Sequence, residues 1–600
     1  MAKEFKNLVE ILEASTSAFA SQPLFGTKVK GAYKWTTYSD FAKQVEKFRG
    51  ALSTMGVEPG SSDTIAVIAN NRVEWAVGAY ATYSIGAKYC PMYEAQMAKD
   101  WEFILKDSGA KIVLVANQKI YDQVKPMVET IDTLERVVYF DGPSDGADAY
   151  QNLLIHGEKN PIDAYHPDSS EIAGFIYTSG TTGNPKGVLL SHANICSNVN
   201  GIQTLLDIGP DDVSLSFLPW AHSFGQVVEL HGLYSMGASM GIVEDVTTII
   251  DNLAEVRPTL LFSVPRIFNR IYDGVYKKME AAGGIKKFLF EKGLANAEAI
   301  RKQVDSTGSP KGLTKAMNGF FDSVVFSKVR ERFGGRLRYA FSGGAALSPE
   351  VARFIDNLNI TVYEGYGLTE TSPIATVNYP GNRRIGSVGK PLPGVTISIV
   401  PVEGYPKGTG EVCVKGPNIM QGYHNLPDKT AEVMDDDGTF HTGDLGRVDE
   451  DGFLWILGRV KEQYKLENGK YVVPGPIEEQ LKLSPYINQV MIEGTNKPFN
   501  GALIVVDEET LDNWCAKNGV PREERLTHKK VIDLYKSEIQ RVSSDAIKGY
   551  ERPKRFALID EEFSTENDML TPTLKLKRRI VMEKYGDLVE SLFEEDSKAA

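Results

Sequence analysis

A short stretch in the first third of the chain concentrates side chains that can hold an anion. Residues 177–195 read YTSGTTGNPKGVLLSHANI, and the candidate ligands are Thr178, Ser179, Gly180, Thr181, Thr182, Gly183 and Lys186. Glycines let backbone amides approach an anion closely, and a lysine can follow a phosphate through a reaction. The loop therefore predicts a polyphosphate cradle. It is not a Walker A loop, because Pro185 stands where that motif requires glycine.

Further segments downstream carry side chains suited to a magnesium nucleotide. FSGGAALSPE supplies Gly343, Gly344 and Ala345, small residues against which a flat base or an acyl chain can lie. YEGYGLTETSP supplies the hydroxyl of Thr369 and the carboxylate of Glu370, and a hard cation prefers carboxylate and phosphate oxygens. Single residues of these types are usually found in solvated turns, so the prediction depends on the motifs occurring together and in order.

Two charged segments complete the series. FHTGDLGRVDEDGFLWILGR contains Asp444 and Arg459, and LTPTLKLKRR contains Lys575 and Lys577 just before a pair of arginines. Each could be a solvated surface patch if it stood alone. In this order, from Tyr33 to Arg579, the segments resemble the acyl-adenylate-forming superfamily of acyl-CoA synthetases, adenylation domains and luciferases.

The resemblance implies roles for the motif residues. The first loop is expected to hold the β- and γ-phosphates of ATP, and the adenine and magnesium segment contributes Glu364, Gly365, Tyr366 and Gly367, with Tyr366 stacked on the purine. Thr369 is expected to bond the α-phosphate and Glu370 to hold Mg²⁺. Asp444 would accept the ribose hydroxyls, and Arg459 would contact ribose and phosphate.

The resemblance also implies how the reaction is divided. Lys575 is expected to be the catalytic lysine, with Lys577 as a neighbouring alternative, and Lys461 is expected to be the hinge on which a small domain rotates. Gly469 matches a glycine lining the tunnel for the pantetheine arm of CoA. The resemblance thus implies Lys575, Thr369 and Glu370 as the catalytic set, and ATP, Mg²⁺ and CoA as the expected cofactor and substrates.

The acyl pocket is predicted in SLSFLPWAHSFGQVVEL, residues 214–230, with Trp220, His222 and Phe224 as candidates for its mouth and Gly225 beside them. His222 could equally be a satisfied core residue. RPTLLFSVPRIF with the basic stretch after it, and KLENGKYVVPGPIEE, resemble the long-chain fatty acyl-CoA branch. Two alternatives are an acyl-AMP ligase that delivers to a carrier-protein phosphopantetheine, and a catalytically silent nucleotide- or acyl-lipid-binding protein.

The elements that position these residues follow from the pattern of the chain. At 600 residues, more than one domain is expected. Short β-branched runs such as DTIAVIA and AKIVLVAN alternate with helical stretches, which indicates α/β units with a buried parallel sheet. Shorter strands after Gly381, separated by turn residues, predict antiparallel pairing or a small β-barrel-like subdomain. We expect a large N-terminal domain of parallel α/β subdomains, residues 1–460, and a small mobile α+β domain, residues 461–600.

Charge and hydropathy limit the partners. A formal net charge of −13 disfavours a nucleic-acid binder, and the amino terminus MAKEFKNLVEILEAS has no signal-peptide pattern, so we expect a cytoplasmic protein. Residues 277–338 nevertheless hold fourteen Lys or Arg against six Asp or Glu. This basic segment is either a set of amphipathic helices with a solvated basic face, or a peripheral docking surface for anionic lipid or a polyphosphate.

Overall fold

The computed structural model describes residues 3–143, 146–178, 184–307, 312–543, 547–571 and 574–594, with the side chains of 304–307, 312, 313 and 316 left out. Residues 8–205 form α1 (Leu8–Phe19), β1 (Pro23–Val29), β2 (Ala32–Thr37), α2 (Tyr38–Thr54), β3 (Thr64–Ile68), α3 (Val73–Ile85), β4 (Lys88–Met92), α4 (Ala98–Asp107), β5 (Ala110–Val115), α5 (Gln118–Val124), β6 (Arg136–Tyr139), α6 (Tyr150–Lys159), β7 (Ile172–Thr178), β8 (Lys186–Ser191) and α7 (His192–Leu205).

The chain continues in the same α/β pattern as far as residue 377. Its elements are β9 (Val213–Ser216), α8 (Gly232–Met236), β10 (Ser239–Ile242), α9 (Ile249–Val256), β11 (Leu260–Ser263), α10 (Pro265–Ala282), α11 (Gly284–Thr307), α12 (Gly312–Phe321), α13 (Ser327–Arg330), β12 (Tyr339–Ser342), α14 (Pro349–Asn357), β13 (Val362–Gly367) and β14 (Ile374–Val377). A π-helix spans Phe224–His231, and a short 3-10 helix spans Thr369–Thr371.

The remaining elements are shorter, and antiparallel pairing is more frequent among them. They are β15 (Lys390–Pro391), β16 (Thr396–Pro401), β17 (Thr409–Lys415), β18 (Gly422–Tyr423), α15 (Pro427–Ala431), β19 (Phe440–Val448), β20 (Leu454–Arg459), β21 (Tyr464–Lys465), β22 (Tyr471–Val472), α16 (Pro474–Leu481), β23 (Ile487–Glu493), β24 (Gly501–Val506), α17 (Glu508–Asn518), α18 (Lys529–Ser543), β25 (Arg555–Ile559) and α19 (Arg578–Ser591).

Two large sheets form the body of the N-terminal domain. One has the order β18-β8-β7-β4-β3-β5-β6, and the other β15-β14-β13-β12-β11-β9-β10-β1-β2. Their central strands run parallel, as predicted, while antiparallel strands lie towards the edges. All five residues of β3 are buried, because a strand covered by helices on both faces has no solvent side. The functional motifs follow the ends of strands in these sheets.

The expected barrel-like subdomain is an open sheet. Its order is β16-β17-β19-β20, all pairs are antiparallel, and the edge strands β16 and β20 are not paired with each other. Four strands are too few to curl round and close a barrel, so the prediction of antiparallel strands is confirmed and that of a barrel is corrected. Residues 464–591 form the small α+β domain around the sheet β23-β24-β25.

Within the described residues, no helix is both long and apolar enough to cross a bilayer.

Candidate active site

The predicted phosphate loop connects two paired strands. Thr178 ends β7, Lys186 begins β8, and the two residues are opposite each other in the antiparallel register. The hydroxyl of Thr178 donates to the carbonyl of Lys186 at 3.4 Å. Ser179, Gly180, Thr181, Thr182 and Gly183 lie outside the described residues. The structure therefore places Thr178 and Lys186, which flank the loop, side by side at the same edge of the sheet.

Lys186 lies beside the predicted magnesium ligand. Its Nζ is 4.1 Å from the centre of the Tyr423 ring, and the Tyr423 hydroxyl donates to Oε1 of Glu370 at 2.8 Å. Burial lowers the pKa of Lys186, and the Glu370 carboxylate opposes that change. A lysine over the ring of Tyr423 and a carboxylate at its hydroxyl form a pair that can hold a phosphate and its counter-ion together.

A second cluster lies where β13 meets the small open sheet. The Tyr366 hydroxyl donates to Oδ2 of Asp444 at 2.6 Å, and Nε of Arg459 is 2.8 Å from the other oxygen, Oδ1. Asp444 and Arg459 are cross-strand partners on β19 and β20, so the sheet register itself brings them together. Burial raises the pKa of Asp444, and the Arg459 guanidinium opposes that rise.

Thr369 and Glu370 are buried in the short 3-10 helix after β13. The Thr369 hydroxyl is 3.4 Å from the hydroxyl of Ser223, and Met420 donates its N–H to the Glu370 carbonyl at 2.9 Å. Glu370 thus has a fixed backbone and a carboxylate with capacity for further ligands, since two carboxylate oxygens offer about four lone-pair sites. This donor set fits a hard divalent cation.

A ring approaches Gly343 closely and backbone approaches Gly367, while Gly344 and Ala345 are exposed. A Cβ on Gly343 would lie 3.1 Å from Cε1 of Phe224, and one on Gly367 would lie 1.8 Å from the carbonyl oxygen of Pro373. Gly344 has φ +80°, a conformation that favours glycine, and Ala345 after it is exposed.

Two neighbouring candidates have local partners of their own. Gly386 donates its N–H to Oε1 of Glu364 at 3.4 Å, and burial raises the pKa of Glu364 to about 7. A Cβ on Gly365 would meet the carbonyl oxygen of Thr376 at 3.4 Å, at the tight end of ordinary contact. Both residues lie on β13 just before Tyr366, and the contacts of the Glu364 side chain serve to hold that strand.

The acyl-pocket candidates separate into core and cleft. Trp220 is 0% exposed, and its ring packs on Phe25 and Trp75, so the structure places it in the core and not at a pocket mouth. A Cβ on Gly225 would lie 2.5 Å from the carbonyl oxygen of Pro219. The ring of Phe224 reaches towards Gly343, as described above.

His222 faces the cleft. The main cause of its lowered pKa, about 4, is burial, and the charge of Lys575 adds to that effect. Its Nδ1 accepts the N–H of Phe224 at 3.2 Å. Both the depressed pKa and the local hydrogen bond favour a neutral imidazole that shapes the site.

Lys575 comes from the small domain into this cleft. The turn that carries it is fixed because Thr571 donates its N–H to the Lys575 carbonyl at 2.8 Å, while the Lys575 N–H donates to the Thr571 hydroxyl at 3.0 Å. The side chain is open to solvent, yet the surrounding protein lowers its pKa. The charge of Arg459 adds to that effect, and Asp444 opposes it.

Lys577, the alternative, is engaged elsewhere, because its amine donates to Asp568 at 2.5 Å. Lys461 lies exposed in the 3-10 helix Val460–Glu462 between β20 and β21. Gly469 lies exposed in the β21–β22 hairpin with φ +82°, and a Cβ there would meet Cε of Lys465 at 3.8 Å. The described contacts of Gly469 lie within that hairpin.

Two residues of this site were not among those predicted from the sequence. Tyr423 lies in QGYHN, where nothing in the local pattern marks it, and it enters the site because β18 pairs with β8 beside Lys186. Ser223 directly follows His222, and its hydroxyl could have been proposed as a ligand from that position.

Residues 16–424 match the model of the AMP-binding enzyme family, and residues 461–597 match that of the AMP-binding enzyme C-terminal domain. The chain belongs to the AMP-binding enzymes. Among solved structures, the adenylation domain of a carboxylate reductase from Mycobacterium chelonae superposes with a TM-score of 0.77 at 22% identity, over 98% of this chain and 91% of that one. An anthranilate CoA ligase bound to anthranoyl-AMP gives 0.72 at 19% identity, over 97% of each chain. These two show the fold.

Curated relatives are more similar in sequence. The peroxisomal long chain acyl-CoA synthetase 7 of Arabidopsis thaliana is 31% identical over 97% of this AMP-binding enzyme and 85% of the relative. The long-chain-fatty-acid–CoA ligase FadD15 of Mycobacterium tuberculosis is 32% identical over 95% and 94%, and long-chain-fatty-acid–CoA ligase 6 of Mus musculus is 30% identical over 98% and 87%.

Proposed function

We propose that this AMP-binding enzyme is an AMP-forming long-chain fatty acid–CoA ligase. It activates a fatty acid with ATP to acyl-AMP and pyrophosphate, and then transfers the acyl group to CoA with release of AMP. The observation that carries the proposal is the convergence of Lys186, Glu370, Asp444 and Lys575 from four separate segments on one cleft. The names of the curated relatives support the fatty-acid substrate and CoA as acceptor.

In the first half-reaction, a carboxylate oxygen of the fatty acid attacks the α-phosphorus, and the bond to pyrophosphate breaks. Lys575 and Thr369 are suited to stabilise the negative charge that develops there. Lys186 would neutralise the outer phosphates. Glu370 would hold Mg²⁺, which neutralises charge on the phosphate oxygens when bound.

The nucleoside would be held by the second cluster. Asp444 would accept the ribose hydroxyls through a carboxylate that Arg459 and the Tyr366 hydroxyl already orient. Tyr366 would then offer its ring face to the purine. Because Tyr366 and Arg459 are both bonded to Asp444, the three residues act as one preorganised unit.

The second half-reaction needs a different face of the small domain. We propose that residues 1–460 and 461–600 are the two domains and that Lys461, exposed between β20 and β21, is the hinge. After the first step Lys575 has no further role, so rotation can withdraw it and bring the β21–β22 hairpin with Gly469 to the cleft. The CoA thiolate then attacks the acyl carbonyl, and AMP leaves.

A two-stage assay tests the proposal. Pyrophosphate release should require both ATP and a long-chain acid, and AMP release should require free CoA. An acyl-AMP ligase for a carrier protein would retain acyl-AMP with CoA present, and a silent binding protein would release no pyrophosphate. With ¹⁸O in the carboxylate, label should appear in AMP, and its absence would exclude the adenylate route. A series of acids from short to very long would test the chain-length assignment.

The basic segment offers a route for a substrate that partitions into membranes. On α11 and α12, Ile285, Phe288 and Phe320 are 78%, 56% and 53% exposed. An open groove of ≈ 530 Å³ lies between these helices, and Nζ of Lys292 is 5.6 Å from the centre of the Phe288 ring. Exposed aromatic side chains surrounded by lysines suit the headgroup region of an anionic bilayer, so we propose that this surface contacts such a membrane.

Vesicle sedimentation tests the membrane contact. The double variant Phe288→Ser, Phe320→Ser should lose binding to anionic vesicles, and Lys286→Glu with Lys292→Glu should lose it as well. Ile155→Ser is a matched control, because Ile155 is an exposed apolar residue on α6 outside the basic segment. Unchanged binding in both double variants, or equal binding to zwitterionic vesicles, would contradict the proposal.

A further inference from the structure

One face of α10 carries a line of charged residues. Arg266, Arg270, Asp273 and Lys277 are spaced by four, three and four positions, which places them within one narrow stripe of a helix. α10 follows β11 directly, so it belongs to the large domain and its position is fixed by the nine-stranded sheet. This charged stripe has no role in the reaction described above.

The stripe faces the small domain. Nζ of Lys277 donates to the hydroxyl of Thr510 at 3.0 Å, across 233 residues of sequence. Thr510 lies in the first turn of α17, where its N–H is capped by Asp507 at 3.0 Å. At the start of the stripe, Glu562 of the small domain attracts Arg266. The small domain thus contacts α10 at Lys277 and places a negative charge near Arg266.

The charges at this contact are balanced by Lys277. Burial raises the pKa of Asp273 to about 6, Lys277 opposes that rise, and Asp507 across the contact adds to it. Asp273 and Asp507 therefore repel each other, and the amine of Lys277 compensates. The positive charge of Arg541, also in the small domain, lowers the pKa of Asp273 and so stabilises its carboxylate. Without the lysine, closing the two domains would bring two carboxylates together.

We propose that the charged stripe of α10 is the docking surface that holds the small domain in the orientation in which Lys575 reaches the active site, and that Lys277 is a positioning residue for adenylation. Thr510 and Lys575 belong to the same domain, so a rotation that withdraws Lys575 also separates Thr510 from Lys277. The inference rests on the proposed two-step reaction. It adds the residues that determine how often the small domain is in the adenylation orientation.

The two half-reactions separate this role from a general structural one. Lys277→Glu removes the hydrogen bond to Thr510 and adds a carboxylate beside Asp273 and Asp507. It should slow pyrophosphate release from ATP and fatty acid about 5-fold, the scale of one exposed polar contact, and leave acyl-CoA formation from premade acyl-AMP unchanged or faster. Adding Thr510→Lys to that variant places a cation opposite the new carboxylate and should restore pyrophosphate release. Lys278→Glu is the matched control, one residue along on a different face of α10.

Equal slowing of both half-reactions by Lys277→Glu, no effect on either, or the same effect from Lys278→Glu would overturn the inference. Thr510→Ala removes the same hydrogen bond from the other domain. It should slow pyrophosphate release to a smaller extent and leave transfer from premade acyl-AMP unchanged, so the test does not depend on one variant folding. If the unaltered enzyme releases no pyrophosphate, the proposed function fails instead, and the two failures are distinguishable.

Discussion

Replacing Lys575 by alanine should separate the two half-reactions more sharply than any other single change. The amine is the only part of the small domain for which we infer a role at the α-phosphorus, and it shares the cleft with Asp444, Glu370 and Arg459. Removing it takes a cation away from the point where negative charge develops. The turn carrying it is held by backbone contacts to Thr571, which alanine would keep.

The magnitude follows from what one preorganised electrostatic contact contributes. Loss of a single donor to a developing oxyanion slows a reaction by about 10²–10³-fold. Arg459 lies close enough to lower the pKa of Lys575, so it supplies some positive charge that remains in the variant. We therefore expect adenylation to fall by about 10²-fold, near the lower end of that range. Transfer from premade acyl-AMP should stay within about 2-fold of the unaltered enzyme, because Lys575 is withdrawn from the cleft during that step.

The same lysine predicts a pH dependence. Protein around Lys575 lowers its pKa from the usual 10.5, so the amine loses its charge at a lower pH than a free lysine would. Adenylation should decline with rising pH earlier than transfer from acyl-AMP does. In Lys575→Arg the alkaline decline should move to higher pH, because arginine stays charged throughout.

Pyrophosphate release with ATP and fatty acid measures the first step, and thioester formation from synthetic acyl-AMP and CoA measures the second. Lys577→Ala is the control, since that lysine is paired with Asp568. If Lys575→Ala slowed both steps equally, or if Lys577→Ala had the larger effect on adenylation, the assignment of the catalytic lysine would be wrong.

Three further changes test the rest of the site. Asp444→Asn should raise the KM for ATP about 10-fold and lower the free energy of unfolding by about 1–2 kcal/mol, measured by kinetics and denaturant titration, because it leaves Arg459, 40% exposed, without a charged partner. The Glu411 hydrogen bond raises the pKa of His441, so its stabilisation is present below the usual histidine pKa of 6.5 and lost as the pH rises through the raised value; His441→Gln should remove that pH dependence of the melting temperature. Gly469→Leu should slow transfer from premade acyl-AMP to CoA and spare pyrophosphate release; unchanged transfer would count against the tunnel.

Much of the fold was accessible from the sequence because its signals are local. A run such as TIAVI, all β-branched or small, favours a covered strand, and β3 is a wholly buried interior strand of its sheet. Closure of a sheet is not a local property. The strands after Gly381 are short, closely spaced and separated by turn residues, which suits a barrel. Whether β16 meets β20 depends on twist and strand number, and the sheet stays open.

The site residues also differ in whether local sequence or distant contacts determine their position. Asp444 and Arg459 could be predicted because each lies in a distinctive motif, and their contact follows from the pairing of two adjacent strands. Trp220 lies in an equally distinctive segment but packs on Phe25, which is 195 residues earlier, so no motif could reveal that it belongs to the core.

The contact between Lys277 and Thr510 shows why domain orientation is the hardest part to read from a sequence. Neither residue is unusual for an exposed helix, and each would be satisfied by water if the other were absent. Their meeting depends on a domain arrangement that the chain must also be able to leave, so the contact has to be weak. A weak polar contact leaves little pattern in either segment. It is the half-reaction kinetics of variants at such contacts, and not their local sequence, that can show which orientation each residue favours.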